Sequence, residues 1–487
     1  MLLERVGRVG AVVIAGLLAG LAVAGLIAGI GLVGALIPFA LAAGLLLVEK
    51  PWWAFGVLAV VIILFEEDPT QGLISQEAFF HQALPGIVLS PANLLLIAVV
   101  IAIVFDVRRT GRAWQAPGLL AWPLAVLAIA TIGGAIVGFT NPTHDTTQLL
   151  NQIRSLTILI IAPFAIVNLP TPPRAVRNVV IGAVIIGGLT GLDGLASYAT
   201  GAGKTLDGVT ITFLAETPNW FTVLLILGAL ALVIGRGRLP LWATIASVLA
   251  LLSLVLSFRR SFWIGAIVGI VFVIVAVRGG RRARLLPVAV AAAAIILTLS
   301  TGLIGGAQGA LTQRFNQLSP TQIQSSQDDR YRLDETRNVW AEIQDHPVTG
   351  LGLGTPWVVR DPLSQTLPQG TFYNHFALLW FWLHLGILGP IIYLWLFGAG
   401  VVEALRVGRR HRDRVVRAAG VAVGGGLVCL AVAEVTATYT GADPRFDALL
   451  GLVLGFVVWA RLTETADTAP PAAPAPALRS PPRTADA

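Results

Sequence analysis

A chain of 487 residues that is 56% apolar and only 12% charged carries more hydrophobic surface than a soluble core can hide. Its mean hydropathy is +0.80, and uncharged runs of about 17 apolar residues or more recur; they are too long and uniform for barrel strands and predict membrane-spanning helices. The net charge of +7 is not gathered into a nucleic-acid footprint, so no nucleic-acid partner is expected, and the single Cys429 excludes an intrachain disulfide.

The expected fold class is all-α, a polytopic transmembrane protein of about 12–14 spans with one large extracytoplasmic loop containing short helices. Arg5 and Arg8 precede about forty uncharged residues, too many for a signal-peptide core, so this block reads as two spans, 9–29 and 30–48. Further spans are expected at 52–65, 91–106, 119–138, 149–167, 177–197, 219–235, 240–257, 260–277 and 285–304. Residues 1–304 thus form an N-terminal membrane unit of about eleven helices, and 305–373 the large loop. Three more spans, 374–402, 415–437 and 446–461, make up a C-terminal unit over 374–462. Residues 463–487, rich in Pro and Ala, read as a disordered cytoplasmic tail.

Loop charge sets the expected orientation. With the N-terminus cytoplasmic, the inner loops hold twenty basic residues against five acidic ones, and the outer loops ten against eighteen. The positive-inside bias therefore places both chain ends in the cytoplasm and the large loop outside the cytoplasmic membrane.

Within the large loop, Asp329 to Gln344 reads as a helix. Leu333, Thr336, Val339/Trp340 and Ile343 fall on one stripe, Arg330, Asp334 and Arg337 oppose them, and Asp328 stands at the N-cap position. Arg332 and Arg337 share that helix with Glu335 and Glu342, which also suits a solvated salt-bridge face. HPVTGLGLGTPW follows, with Gly350, Gly352 and Gly354 predicting a tight, backbone-exposed turn. A phosphate cradle is the weaker reading, because no strand precedes it and no Lys-Ser/Thr follows.

The outer basic residues oppose the charge bias. Arg259 and Arg260, in LSFRRSFW, lie where two spans meet the outer surface; adjacent guanidiniums there need an anion, and their planar forks match diphosphate oxygens. A snorkelling pair on lipid headgroups or nearby carboxylates fits as well. Arg154, near the outer end of its span, either joins them or snorkels alone, and Glu434, within a turn of an outer helix end, is a candidate counter-ion for an arginine.

Of six histidines, His411 is in an inner loop, His384 is mid-span, and His81, His144 and His346 lack metal-like spacing. His375, in TFYNHFALLWFW, opens a span directly after the large loop, where a general base for a sugar hydroxyl would be placed; an ordinary interfacial histidine is the plainer alternative. No metal or other cofactor is expected.

HPVTGLGLG followed by NHFALLWFWLHLGILG resembles the bacterial O-antigen ligase and O-antigen polymerase superfamily. Its pattern of a His, a spacer, Gly, two residues and a small residue is met by His375, Gly386 and Gly389. RRSFW is similar to that family's Arg-aromatic start of a span, and the resemblance covers roughly 240–400. Phe376 stands where the family usually has Asn, Ser or Gln after the His, with Asn374 before it instead.

The resemblance implies an inverting, metal-independent transferase at the outer face. It would move a glycan from a polyprenyl-diphosphate carrier to the hydroxyl of a glycan, lipid or cell-wall acceptor, among membrane lipids. His375 would be the base, and Arg260 (with Arg259) and Arg332 or Arg337 would hold the diphosphate. Asn374, Glu434, Gly386 and Gly389 would support them. A polymerase of the same superfamily is the nearest alternative. A transporter without chemistry is the second, although the mid-span positions are nearly all apolar.

Overall fold

The computed structural model describes residues 51–64, 90–170, 174–200, 205–206, 209–210, 216–236, 239–257, 259–277, 327–363 and 370–468. The spans expected at 9–29, 30–48 and 285–304 and most of the tail lie outside the described residues.

The described helices are α1 (Pro51–Leu64), α2 (Pro91–Thr110), α3 (Ala121–Thr140), α4 (Thr146–Val167), α5 (Ala175–Thr200), α6 (Glu216–Arg236) and α7 (Leu241–Leu256). They continue as α8 (Arg260–Ala276), α9 (Gln327–Asp345), α10 (Ala377–Leu385), α11 (Leu388–Arg410), α12 (Arg414–Ala433) and α13 (Pro444–Thr468). A two-residue antiparallel ribbon, Thr205–Leu206 with Val209–Thr210, is the one departure from helix-only architecture among the described residues.

Local chemistry sets several starts. Ser90 and Asn93 form a reciprocal capping box ahead of α2, Asp145 caps α4 through the Gln148 amide, and Asp413 caps α12 through Val415 and Val416.

Among the described residues, seven helical segments, Gly118–Thr140, α4, α5, Glu216–Gly235, α11, α12 and Pro444–Glu464, are long and apolar enough to cross a membrane, and α7 and α8 are apolar but shorter. Their outward faces are apolar too. On α3, Trp122, Ile129, Ile132, Ile136 and Phe139 are all exposed, as are Ile264, Ile267, Val271 and Val275 on α8. Such stripes are stable against acyl chains and not against water. This is a membrane protein.

Inside, α12 packs against α6, α8 and α11, while α4 lies along α13. The α8–α12 approach depends on small residues: a Cβ on Gly265 would sit 2.5 Å from the Cys429 carbonyl oxygen.

Three expectations about elements are corrected. The span expected at 374–402 is two helices, α10 and α11, because the chain reverses at Gly386 (φ 68°, ψ −165°) and re-enters a helix at Leu388. α13 continues to Thr468, beyond the expected end of its span. The loop helix begins at Gln327, so Asp328 lies in its first turn instead of capping it.

The glycine turn is also not backbone-exposed. Residues 350–355 are buried, threaded between α3, α4 and α10. The Leu353 amide donates to Gly134 O (2.9 Å), Leu351 N to Leu383 O (2.7 Å), and Gly354 N to Gln152 Oε1 (2.7 Å). Gly352, at φ 86°, leaves room for no side chain, since a Cβ would fall 2.1 Å from the Gly138 nitrogen. The turn's amides are used by the protein's own carbonyls, so the plain-turn reading holds over a phosphate cradle. His384, mid-helix in α10, belongs to the same seam: its Nδ1 lies 2.9 Å from Trp380 O and its Nε2 3.4 Å from Gln152 Nε2.

Candidate functional site

The loop helix α9 docks on α10 through Val339 and Ile343, which pack with Leu351, Trp357, Leu379 and Leu383. Its buried stripe is Tyr331, Glu335, Asn338/Val339 and Glu342/Ile343, spaced by three and four residues. The expected stripe was therefore rotated: Leu333 and Trp340 are exposed, whereas Arg330 and Arg337 do face outward. The reason is polar. Asn338 donates to Asp334 O and Asp361 O and accepts from the amides of Arg360 and Asp361, so burying this carboxamide secures the returning loop. Glu342 holds the Arg360 guanidinium (Nη2 at 3.0 Å), to which Asp345 is also bonded. Glu335 and Glu342 are thus not on a solvated face.

Glu335 meets His375. The segment before α10 is extended, with Phe376 at its N-cap and the Asn374 carboxamide accepting from the Phe376 amide (3.0 Å). This exposes the His375 amide and ring to α9: Glu335 Oε2 lies 2.7 Å from His375 N and 2.9 Å from Nδ1. Tyr331 and Tyr373 stand edge-on to the imidazole, with ring centroids 5.9 and 5.0 Å away. Burial, and then the Glu335 charge, push the Tyr331 phenol up to about 12.

Tyr373 links this pair to the loop after α12: its hydroxyl donates to Thr438 O and accepts from Thr438 N, both at 2.8 Å. That loop is anchored by Glu434. Its carboxylate accepts from Tyr393 Oη (2.5 Å), Thr440 N (2.6 Å) and Tyr439 N (3.1 Å), and its carbonyl accepts from the Ala377 amide. Glu434 is accordingly not an arginine counter-ion; a phenol and two backbone amides occupy it. Glu434→Ala leaves three buried donors without their acceptor, at about 1–3 kcal/mol each in isolation. Its melting temperature in detergent is expected to fall well below that of Glu434→Gln, which keeps an acceptor oxygen.

Tyr439 in turn stacks on Phe262 of α8 (5.5 Å, 11°). Burial pushes its phenol up and Glu216 adds to this, while the Arg259 guanidinium and a hydrogen bond with Ser261 oppose it. Arg259, at the N-cap of α8, is ion-paired with Glu216 at the start of α6. Arg259 is therefore joined to the His375 cluster through Tyr439, Thr438 and Tyr373.

The other expected arginines separate by position. Arg260 is the first residue of α8 and half-buried. Arg332 is half-buried and one helical turn before Glu335 on α9. Arg337 is 69% exposed at its side chain, on the far side, 3.5 Å from Asp334. Arg154 is buried on α4, in the electrostatic field of Asp443, and is not an interfacial snorkeler. Gly386 and Gly389 act through the backbone, since a Cβ on them would meet Val348 O at 1.9 Å and Phe381 O at 2.0 Å. Among the described residues, no three His, Cys, Asp or Glu side chains converge as a metal site requires.

Residues 245–394 match the family model described as O-Antigen ligase. That match supports the resemblance to the O-antigen ligase and polymerase superfamily read from the sequence. The matched segment contains Arg259, Arg260, α9 with Arg332, Arg337 and Glu335, and His375, Gly386 and Gly389; Arg154, Glu216 and Glu434 lie outside it. Comparison with curated proteins finds no match. At family level the matched segment is similar to membrane glycosyltransferases of the O-antigen ligase type.

Sequence reasoning missed Glu335, Tyr331, Tyr373 and Glu216. The i, i+4 series Tyr331, Glu335, Val339, Ile343 was the available signal for the first two. Nothing in the linear order ties Glu216 to Arg259.

Proposed function

We propose that this protein transfers a glycan from a polyprenyl-diphosphate carrier to an acceptor hydroxyl at the outer face of the cytoplasmic membrane, inverting the anomeric centre without a metal. The observation that carries the reading is the convergence of Arg259 and His375 on one hydrogen-bonded and aromatic network at one end of the bundle. The acceptor oxygen bonds to the anomeric carbon, the bond from that carbon to the diphosphate breaks with its electron pair going to the diphosphate, and the hydroxyl proton passes to His375. Arg259, with Arg260 and Arg332, meets the charge that develops on the leaving group. Glu216 holds the Arg259 guanidinium until a diphosphate competes for it.

The test is transfer by purified protein in lipid nanodiscs, from a polyprenyl-diphosphate glycan to lipid or glycan acceptors, with and without EDTA. Activity that survives EDTA is expected; its loss contradicts the metal-free reaction. Preference for a lipid acceptor or for a second lipid-linked glycan separates ligation from polymerisation.

The two loop arginines give a sharper contrast. Arg332→Ala is expected to cut transfer at least tenfold, about 1.4 kcal/mol of transition-state stabilisation, and Arg337→Ala to leave it within about threefold. Equal effects would contradict the assignment of Arg332.

A further inference from the structure

We propose that Glu335 is the positioning residue for His375, holding the imidazole with its proton on Nδ1 so that Nε2 is the base. The inference rests on the functional reading above and adds to it a residue from the loop helix.

Four observations carry it. Glu335 is 1% exposed, although it is a carboxylate on a helix of a polar loop. Burying such a charge is costly unless strong donors meet it, and here one oxygen, Oε2, takes both the His375 amide (2.7 Å) and Nδ1 (2.9 Å). An ionised carboxylate only accepts, so Nδ1 is the protonated nitrogen and Nε2 keeps its lone pair. The histidine side chain retains 17% exposure while its Nδ1 edge is taken by a buried group, so the accessible edge is the one bearing Nε2. Two tyrosines, edge-on to the ring, fix its plane from α9 and from the segment before α10.

The chemical consequence follows from charge. When Nε2 takes the acceptor proton the ring becomes an imidazolium, and a carboxylate against Nδ1–H stabilises that cation and keeps the ring oriented. There is a structural consequence as well. Because Glu335 rides on α9, the base is complete only when the loop helix is seated on α10 through Val339 and Ile343. The large loop is then part of the reaction centre and not only a cover.

The test uses the full chain with Glu335→Gln, Glu335→Asp and His375→Ala in nanodiscs, reading kcat, KM for donor and acceptor, and melting temperature. The groups around the ring are Tyr331, Tyr373 and Glu335, with Arg332 on the same helix and Glu216 acting on Tyr373. Both phenols are raised by burial, so they stay protonated across a neutral assay range.

Glu335→Gln is expected to lower kcat about 100-fold with both KM values within about threefold. Glu335→Asp should recover part of kcat. If Glu335→Gln keeps kcat within threefold while only the melting temperature falls, or if Glu335→Asp recovers nothing, Glu335 merely docks the loop and the proposal is overturned. Should His375→Ala itself remain active, the reading of His375 as the base fails and Glu335 loses its role with it. An inactive His375→Ala beside a wild-type-like Glu335→Gln overturns this inference alone.

Discussion

Replacing His375 with Ala is expected to lower glycan transfer by about 10²–10⁴-fold, the usual worth of a positioned general base. The loss should fall on kcat, since the arginines that hold the diphosphate are untouched. The substitution also removes one of the two donors to Glu335 Oε2 and leaves that buried carboxylate with the backbone amide of residue 375. Some loss of stability therefore accompanies the loss of chemistry. His375→Gln separates the two effects: its carboxamide can still donate to Glu335 but cannot take a proton at neutral pH. Transfer of a labelled glycan in nanodiscs, beside melting temperatures, checks both variants. Activity within tenfold of wild type in His375→Gln, with the protein folded, would sink the general-base assignment.

Gly386→Ala is expected to destabilise the folded protein severely. Gly386 has φ 68° and ψ −165°, a region essentially closed to residues with a Cβ, and the added carbon would lie 1.9 Å from the Val348 carbonyl oxygen. Backbone strain of about 1–3 kcal/mol adds to an overpacking cost of about 1–3 kcal/mol, and the obstacle is main chain that no rotamer change can clear. Against a typical stability of about 5–15 kcal/mol, that is a large fraction. The expected result is poor membrane yield or a lowered melting temperature in detergent. Gly398→Ala is the control, because a Cβ there meets nothing within 4 Å and the site is inside α11. It should be neutral or slightly stabilising, as Ala is the better helix former. Equal melting temperatures for the two variants would show that the reversal at Gly386 tolerates a side chain.

The membrane architecture was legible in the sequence because it depends on run length alone. An apolar stretch long enough to cross hydrocarbon has to be helical whatever its neighbours are, and so the expected spans and the described helices coincide within a few residues. The exception, 374–402, fails for a related reason: hydropathy registers the apolar run and is blind to the reversal at Gly386 that divides it.

His375 and the Arg259/Arg260 pair could be named as candidates from the sequence, since each stands at a span boundary beside a recognisable spacing. Their partners could not. Glu335 was 40 residues from His375 in sequence and had the look of a surface charge; only the seating of α9 on α10 buries it against the imidazole. Glu434 looked like a counter-ion because it is an acid near a helix end, yet the loop folds back and gives it Tyr393 and two amides instead. Composition, periodicity and charge bias thus determined that the chain is a helical membrane protein, and its motif spacing pointed to the family. The tertiary structure decided which charges are buried together, because ion pairing and hydrogen bonding act over a few ångströms and depend on packing that no local pattern encodes.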